Sequence, residues 1–349
     1  MKLQSPHPPG QAGRLHEIAL VLQRAAPLMP CPVQLVDIGY QLLTGAAPQA
    51  VKAPHIELTR DVNVADGLRA ILRACMAHLF HNQDVALVHS TAEGVHQMRV
   101  AVRRLRSAIR VFADIIDSGD DAWIEGELKW LGVELGRVRD WDVFVTKTLE
   151  AVRKAGGAGR HAGDALAPAA RERQQSARDE LAKLTRSNRY ATLMLTLGAW
   201  VEEDRWCERL ETKARLADPL VDLGNEVLSD LDAKMRKAGR CIRQLDASER
   251  HRLRKRLKRL RYGADFLSYL YPRKKVRNYT RPLSDLQDIL GELNDLAAAK
   301  NLLKDLAGTD DLQKHADLIR AQFDSRARRL LAQLYPAWRR FKATNGFWN

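Results

Sequence analysis

From His96 to Arg106 the chain reads His-Gln-Met-Arg-Val-Ala-Val-Arg-Arg-Leu-Arg; 155 positions later, from His251 to Arg261, it reads His-Arg-Leu-Arg-Lys-Arg-Leu-Lys-Arg-Leu-Arg. A guanidinium grips two phosphate oxygens at once, a lysine adds point charge, and a histidine donates hydrogen bonds while carrying a charge that changes near neutral pH. Such a set suits a chain of phosphates. The bland alternative is a solvated basic face with partners inside the molecule. Recurrence in one frame, with a histidine at the same place, favours a duplicated binding element. A second pair of segments keeps the frame: Leu135-Gly136-Arg-Val-Arg-Asp140 returns as Leu290-Gly291-Glu-Leu-Asn-Asp295.

On a helix, Arg99, Arg103, Arg106 and Arg110 fall within about 80° of His96, while Met98, Val102, Leu105, Ile109 and Phe112 gather opposite. The cation line from His96 to Arg110 is then roughly 21 Å long. The second copy places His251, Arg254, Lys255, Lys258, Arg261 and Tyr262 on the polar face and Leu253, Leu257, Leu260, Ala264 and Leu267 on the core face. Eight cations lie between Arg250 and Arg261 with no acid among them. Like charges at i,i+4 repel, so this crowding costs stability until an anion neutralises it. The copies are not identical: Asp265 stands where the first has Arg110, and Lys255 answers Val100.

Other residues carry weaker signals. Asp140 and Asp295 read as metal ligands or general bases, or, as the better-supported alternative, as buried or capping acids that orient a motif arginine. Lys129 and Arg139 reach the same anion or are simply solvated. His78 and His81, three apart, lack a third metal ligand and read as structural. Around His96 and His251 the neighbours are cations, which repel a metal and favour an anion. The seven tryptophans read as packing residues. Tyr262 is the one aromatic on either stripe, with Ser107 at its place in the first copy, which is too few for base stacking.

The net charge of +14 over 349 residues calls for a polyanionic partner or surface. With 29% charged residues and 6% aromatics, the composition suits an all-helical protein. The four cysteines, Cys31, Cys75, Cys207 and Cys241, are scattered without metal-ligand spacing and read as reduced thiols. No apolar run approaches the roughly 20 residues that cross a bilayer, and the first ten residues lack a secretory core, so the cytoplasm is the expected compartment.

These motifs need helices to hold them. Prolines at 6, 8, 9, 27, 30, 32, 48 and 54 make residues 1–60 an irregular appendage or linker, with one amphipathic segment at Leu15–Ala26 and a short strand at Val33–Ile38. Beyond Val64 the helical period covers Val64–Val88, Ala92–Ile116, Asp121–Ala155, Leu166–Asp204, Pro219–Leu245, Ser248–Leu270, Lys275–Leu290, Leu293–Leu306 and Asp310–Tyr335. Gly156-Gly157-Ala-Gly159 and Asp218-Pro219 supply breaks. The expected halves are 61–212 and 213–349.

The two His-Arg helices, together with Leu135–Val143 and Leu286–Asp295, resemble the conserved histidine alpha-helical domain, or CHAD, over about residues 60 to 349. The resemblance implies an all-α fold of two pseudo-symmetric antiparallel helical bundles whose basic helices face a shared cavity that binds inorganic polyphosphate. Carried over by position, the ligand line is His96, Arg99, Arg103, Arg106, His251, Arg254, Lys258 and Arg261. Arg110 and Lys255 join it by helical position, and Lys129, Arg139, Arg104, Arg259 and Tyr262 stand as additional contacts. The N-terminal region resembles, more weakly, the tail that follows a CYTH triphosphate-tunnel domain, but the ExExK signature of that tunnel is absent.

The leading expectation is therefore noncatalytic capture of polyphosphate, without cofactor or bound metal, in a granule-associated or targeting role. A nucleic-acid binder is the less favoured alternative, since no groove-reading motif is present. An enzyme that processes polyphosphate or triphosphates is another, with a histidine as acid or nucleophile, and it lacks an acidic cluster suited to magnesium.

Overall fold

A computed structural model describes residues 12–25, 35–45 and 47–348. Among the described residues fourteen α-helices follow one another: α1 (Ala12–Ala25), α2 (Leu35–Thr44), α3 (Val64–His81), α4 (Gln83–Leu87), α5 (Ala92–Val111), α6 (Asp121–Val143), α7 (Glu150–Lys154), α8 (Gly157–Thr185), α9 (Asn188–Glu202), α10 (Leu210–Ala214), α11 (Leu220–Ala238), α12 (Ala247–Leu267), α13 (Arg273–Leu306) and α14 (Asp310–Lys342). No strand forms among the described residues, only isolated bridges between Asn63 and Pro219 and between Asp117 and Cys207. The fold is all-α, as expected.

The chain divides into two compact units. The first comprises the described residues up to Glu57 with Val62–Gly136 and Arg178–Leu220; the second comprises Leu58–Asp61, Arg137–Ala177 and Val221–Asn349. In the first unit α5 starts where the Thr91 side chain accepts the Gly94 N–H at 3.0 Å. Its apolar side, with Met98, Val102 and Leu105 at 0% exposure and Phe112 at 1%, is the one the wheel assigns to the core. Each such side chain contributes about 1.5–3 kcal/mol on burial.

In the second unit α12 starts 155 positions after α5, as Ala247 follows Ala92, with a capping box in place of the lone threonine. Asp246 accepts the Glu249 N–H at 2.7 Å while Glu249 accepts the Asp246 N–H at 2.9 Å. Leu253, Leu257, Leu260, Ala264 and Leu267 are all buried. Asp265, on the charged side, is exposed.

Several boundaries differ from the sequence reading. The short strand expected over Val33–Ile38 is absent: residues 35–38 open α2, and residues 33 and 34 lie outside the described residues. Between Pro32 and Pro48 no proline interrupts the chain, and a helix satisfies its backbone groups locally where a lone strand would have no partner. The N-terminal segment, expected as irregular, thus carries two helices, and α1 packs on α9: the Gln23 amide donates to the Asn188 carbonyl at 3.0 Å and accepts from Thr192 at 3.2 Å.

The Leu166–Asp204 stretch is two helices, because the Ser187 hydroxyl ends α8 on the Leu184 carbonyl and caps α9 at the Tyr190 N–H. Its first helix starts earlier, at Gly157, after Gly156 and Gly157 take φ of +77° and +55°. Conversely, Lys275–Leu290 and Leu293–Leu306 are one helix, since Gly291 sits inside α13 without breaking it. Pro336 lies within α14, which runs on to Lys342. The long Asp121–Ala155 segment holds a π-helical turn at Phe144–Leu149 between α6 and α7.

Candidate anion-binding site

Along α5 the cations occupy the side away from the core, and α6 passes beside them. Arg110 Nε donates to Glu125 Oε1 at 2.7 Å, and Arg106 Nη2 lies 3.8 Å from the same oxygen. At Gly132 the place a Cβ would take is 3.9 Å from Arg106 Nη1; at Gly136 it is 3.4 Å from Arg99 Nε and 3.5 Å from Arg99 Nη2. The contacts run backward along α5 as they run forward along α6, so the two helices are antiparallel here. The glycines are where guanidinium groups come close to α6. His96, Arg99, Arg103 and Arg106 are half-buried, and Arg110 is exposed.

The electrostatics of this line are unbalanced. Burial, aided by the charge of Arg110, pushes the Arg106 guanidinium below its usual pKa, and Glu125 opposes the shift only in part. An arginine still stays charged at neutral pH, so the shift measures a cost rather than a neutral group. Arg103 has no carboxylate partner among the described residues, and its Nε is buried without a hydrogen bond. Burying such a donor costs about 1–3 kcal/mol unless something accepts from it.

Arg104 belongs elsewhere. It faces Cys75, whose thiol is pushed by burial up to about 11 while Arg104 pulls the other way. Nearby, burial lowers the His78 pKa; the Gln97 side chain opposes this, and Arg104 adds to it. His78 Nε2 lies 3.1 Å from the Val51 carbonyl and 3.2 Å from Gln97 Oε1, so this histidine ties α3 to α5 in the core. His81 Nδ1 bonds its own helix at the Ala77 carbonyl, 2.6 Å away. Lys129 is exposed on α6.

In the second unit the α12 line is more open. His251 is exposed, and its Nδ1–H donates to Asn294 Oδ1 of α13 at 3.1 Å, which turns Nε2 away from that partner. Arg254, Lys258 and Arg261 are half-buried and Lys255 is exposed. Arg261 Nε is 4.0 Å from Asp265. Arg259 and Tyr262 are half-buried, and Tyr262 stacks on Phe266 at 6.2 Å. Arg139 is half-buried at the end of α6 that belongs to this unit.

Three residues that matter here were missed at the sequence level as functional groups: Glu125, Gly132 and Asn294. The repeated Leu-Gly pair is the signal that pointed near them, because a glycine kept in a helix marks close approach. Asp295 does not orient an arginine: it is exposed and makes no ion pair among the described residues. The orienting polar group of that segment is its neighbour Asn294. The fully buried acid near the first copy is Asp142, which accepts from Gln174 Nε2 at 2.7 Å. Six of the seven tryptophans pack, one of them, Trp130, beneath Arg189 at 4.0 Å; Trp123 is 42% exposed.

Among the described residues no cluster of His, Cys, Asp and Glu has the grouping to hold a metal ion, and no helix is long and apolar enough to cross a membrane. The chemistry available along both lines is that of hydrogen-bond donors and positive charge, matched to the oxygens of an anion.

Comparison with known proteins gives the family and the fold. Two Mycobacterium tuberculosis proteins, Uncharacterized protein MT2285 of strain CDC 1551 / Oshkosh and Uncharacterized protein Rv2226 of strain H37Rv, are each 27% identical over 231 residues. The match takes in 63% of this chain and 42% of theirs, so the chain spans less than half the length of these curated relatives. The crystal structure of the CHAD domain from the plant Ricinus communis superposes with a TM-score of 0.75 at 29% identity, covering 86% of this chain and 99% of that one. PptA from Streptomyces chartreusis shares the fold, with a TM-score of 0.60 at 15% identity over 79% of this chain and 99% of its own. The family model for the CHAD domain matches residues 70–304, which include both cation lines, and the chain belongs to the CHAD domain family.

Proposed function

We propose that this protein binds inorganic polyphosphate without transforming it, through His96, Arg99, Arg103, Arg106 and Arg110 on α5 and His251, Arg254, Lys255, Lys258 and Arg261 on α12. Lys129, Arg139, Arg259 and Tyr262 stand as outlying contacts. One observation carries the reading: cation lines start at the same register on two helices that are each anchored by a buried apolar face. In the first, Arg103 is half-buried without a carboxylate partner among the described residues. Crowded cations of this kind repel one another until an anion neutralises them. The phosphate chain supplies evenly spaced oxygens to the forks and carries no base to be read, consistent with the scarcity of aromatics along the lines.

Membership in the CHAD domain family supports the same ligand class. Storage, targeting and residence at cytoplasmic polyphosphate granules extend this proposal to the cell, where co-localisation of a fluorescent fusion with stained granules tests them.

Titration calorimetry with long-chain polyphosphate tests the binding itself. Wild type binds in a salt-sensitive way and far more tightly than it binds orthophosphate, while Arg99→Glu with Arg254→Glu loses binding and keeps its helical circular dichroism. Equal affinity for duplex DNA and polyphosphate at matched salt refutes this ligand. Release of orthophosphate that disappears in His96→Ala refutes the noncatalytic reading.

A further inference from the structure

A third cation line lies outside both motifs, at the start of α13. Arg273, Lys274, Arg277 and Arg281 are all exposed, and none makes an ion pair or hydrogen bond among the described residues. Arg273, Arg277 and Arg281 follow one another at i,i+4,i+8, so with Lys274 they fall within about 100° of one helix side and extend roughly 12 Å along it. The arginines on α5 step by four, three and four residues, so both sets keep to one side of their helix.

The line stands where helix chemistry disfavours it. The first turn of a helix is the positive end of its dipole and favours acids, yet α13 has no acid in its first turn and no side-chain cap on its Pro272 N-cap. At the matching offset in the first half, α6 obeys the rule: Asp121 occupies its first turn, and Ser118, Gly119, Ala122 and Gly126 stand where the four cations of α13 would fall. The third line is therefore no remnant of the repeat. It belongs to the second half alone.

We infer that Arg273, Lys274, Arg277 and Arg281 form a second contact for the phosphate chain, reached by long chains and not by short ones. This inference rests on the polyphosphate reading above. The surroundings favour a bare phosphate chain: Tyr279 is buried, so no aromatic beside the line is free to stack a base, and Val276 and Leu283 are not exposed, so no apolar side chain is offered to a lipid surface.

Distance supplies the length dependence. The His251–Asn294 bond puts the start of α12 beside the second half of α13. Counting back from Asn294, Arg281 lies roughly 20 Å and Arg273 roughly 32 Å along α13, whereas the α12 line from His251 to Arg261 covers only about 15 Å. Asp265, 4.0 Å from Arg261, marks the end of the α12 line. A chain that fills the α12 line alone ends short of α13's first turns. A longer chain engages both and gains from the second contact as an intramolecular event.

The test compares wild type with Arg273→Gln/Arg277→Gln/Arg281→Gln against polyphosphates of about four and about a hundred phosphates, the first too short to outrun the α12 line. The triple variant is expected to bind the long chain about tenfold more weakly, and the slope of log affinity against log salt should fall by about 2, while affinity for the short chain holds. Lysine at the same three positions should restore long-chain binding, which separates lost charge from a disturbed helix. Unchanged long-chain affinity in the glutamine variant overturns the second contact, as does an equal loss for both lengths. A loss confined to binding of RNA or of anionic phosphatidylserine vesicles overturns it as well. Failure of the wild type to bind either length refutes instead the polyphosphate reading on which it rests.

Discussion

Arg103 of α5 and Lys258 of α12 hold the same register in lines of the same type, yet they stand in different surroundings. From His96 to Arg106 the α5 line is half-buried along α6, with glycines close to Arg99 and Arg106 and with Glu125 shared by Arg106 and Arg110. On α12 the histidine is exposed and held by a neutral amide, the repeated glycine has open space around it, and Asp265 lies beside Arg261 at the far end of the line. The first line is a set of positioned forks with restricted freedom. The second is more open, with His251 and Lys255 exposed. Preorganised donors lose less on binding, so the first line should set affinity and geometry, while the second should contribute more of the salt-sensitive attraction.

Truncation at the matched positions breaks or sharpens that contrast most strongly. Arg103→Ala removes a half-buried fork and is expected to weaken long-chain polyphosphate binding about 30-fold, in the range of a lost charge-assisted hydrogen bond. Lys258→Ala removes a half-buried point charge that cannot fork and should cost about threefold, with most of its effect in the salt slope. Calorimetry at two salt concentrations measures both; equal losses would mean that a positioned fork has no advantage over a point charge.

The acid beside the first line comes next. Glu125→Gln frees Arg106 and Arg110 from their internal partner and should tighten binding about fivefold while lowering Tm by about 1–2 °C, since a partly exposed pair is worth about 0.2–1 kcal/mol. Weaker binding in this variant would show that Glu125 holds the arginines in place for the ligand rather than competing with it.

The glycines give a smaller and more specific contrast. Gly136→Ala sets a methyl 3.4 Å from Arg99 Nε and 3.5 Å from its Nη2. It should shift that fork and weaken binding about threefold, a change of about 0.6 kcal/mol. Gly291→Ala meets nothing within 4 Å and should leave binding unchanged while raising stability by up to about 1 kcal/mol through helix propensity. Thermal unfolding alongside titration reads the two effects separately.

The smallest effect concerns the core behind the first line. Burial lowers the His78 pKa, with Arg104 adding to the shift, so the unfolded chain takes up a proton near pH 6.5 while the folded one resists it. The stability His78 supports is thus full above pH 6.5 and falls as pH drops below that value toward its folded pKa. Tm of wild type should decline between pH 7.5 and 5.5 more steeply than Tm of His78→Gln; parallel curves would remove His78 from the account.

The helical period was legible because it depends on local sequence: alternation of apolar and charged residues at three and four along α5 and α12 is enough to assign the core faces, and Met98, Leu105, Leu253 and Leu260 are buried as that period requires. Boundaries fared less well. Gly291 and Pro336 carry local signals that argue for breaks, but packing of α13 on α14 keeps both helices continuous. At Ser187 the reverse holds, since one hydroxyl that terminates α8 and caps α9 outweighs an apolar run that continues through it.

By itself, then, the sequence determined the all-α class, the recurrence of a His-Arg motif at one offset and which side of each motif helix is apolar, all properties of residues near one another in the chain. Only the tertiary structure decided which cations stay available to an anion. Arg110 pairs with an acid fifteen residues away, Arg104 turns toward Cys75, and His251 is oriented by an asparagine forty-three residues away. The reason is physical: a charge is assigned its role by the nearest opposite charge, the nearest donor and the depth of water around it, and all three are set by segments distant in sequence.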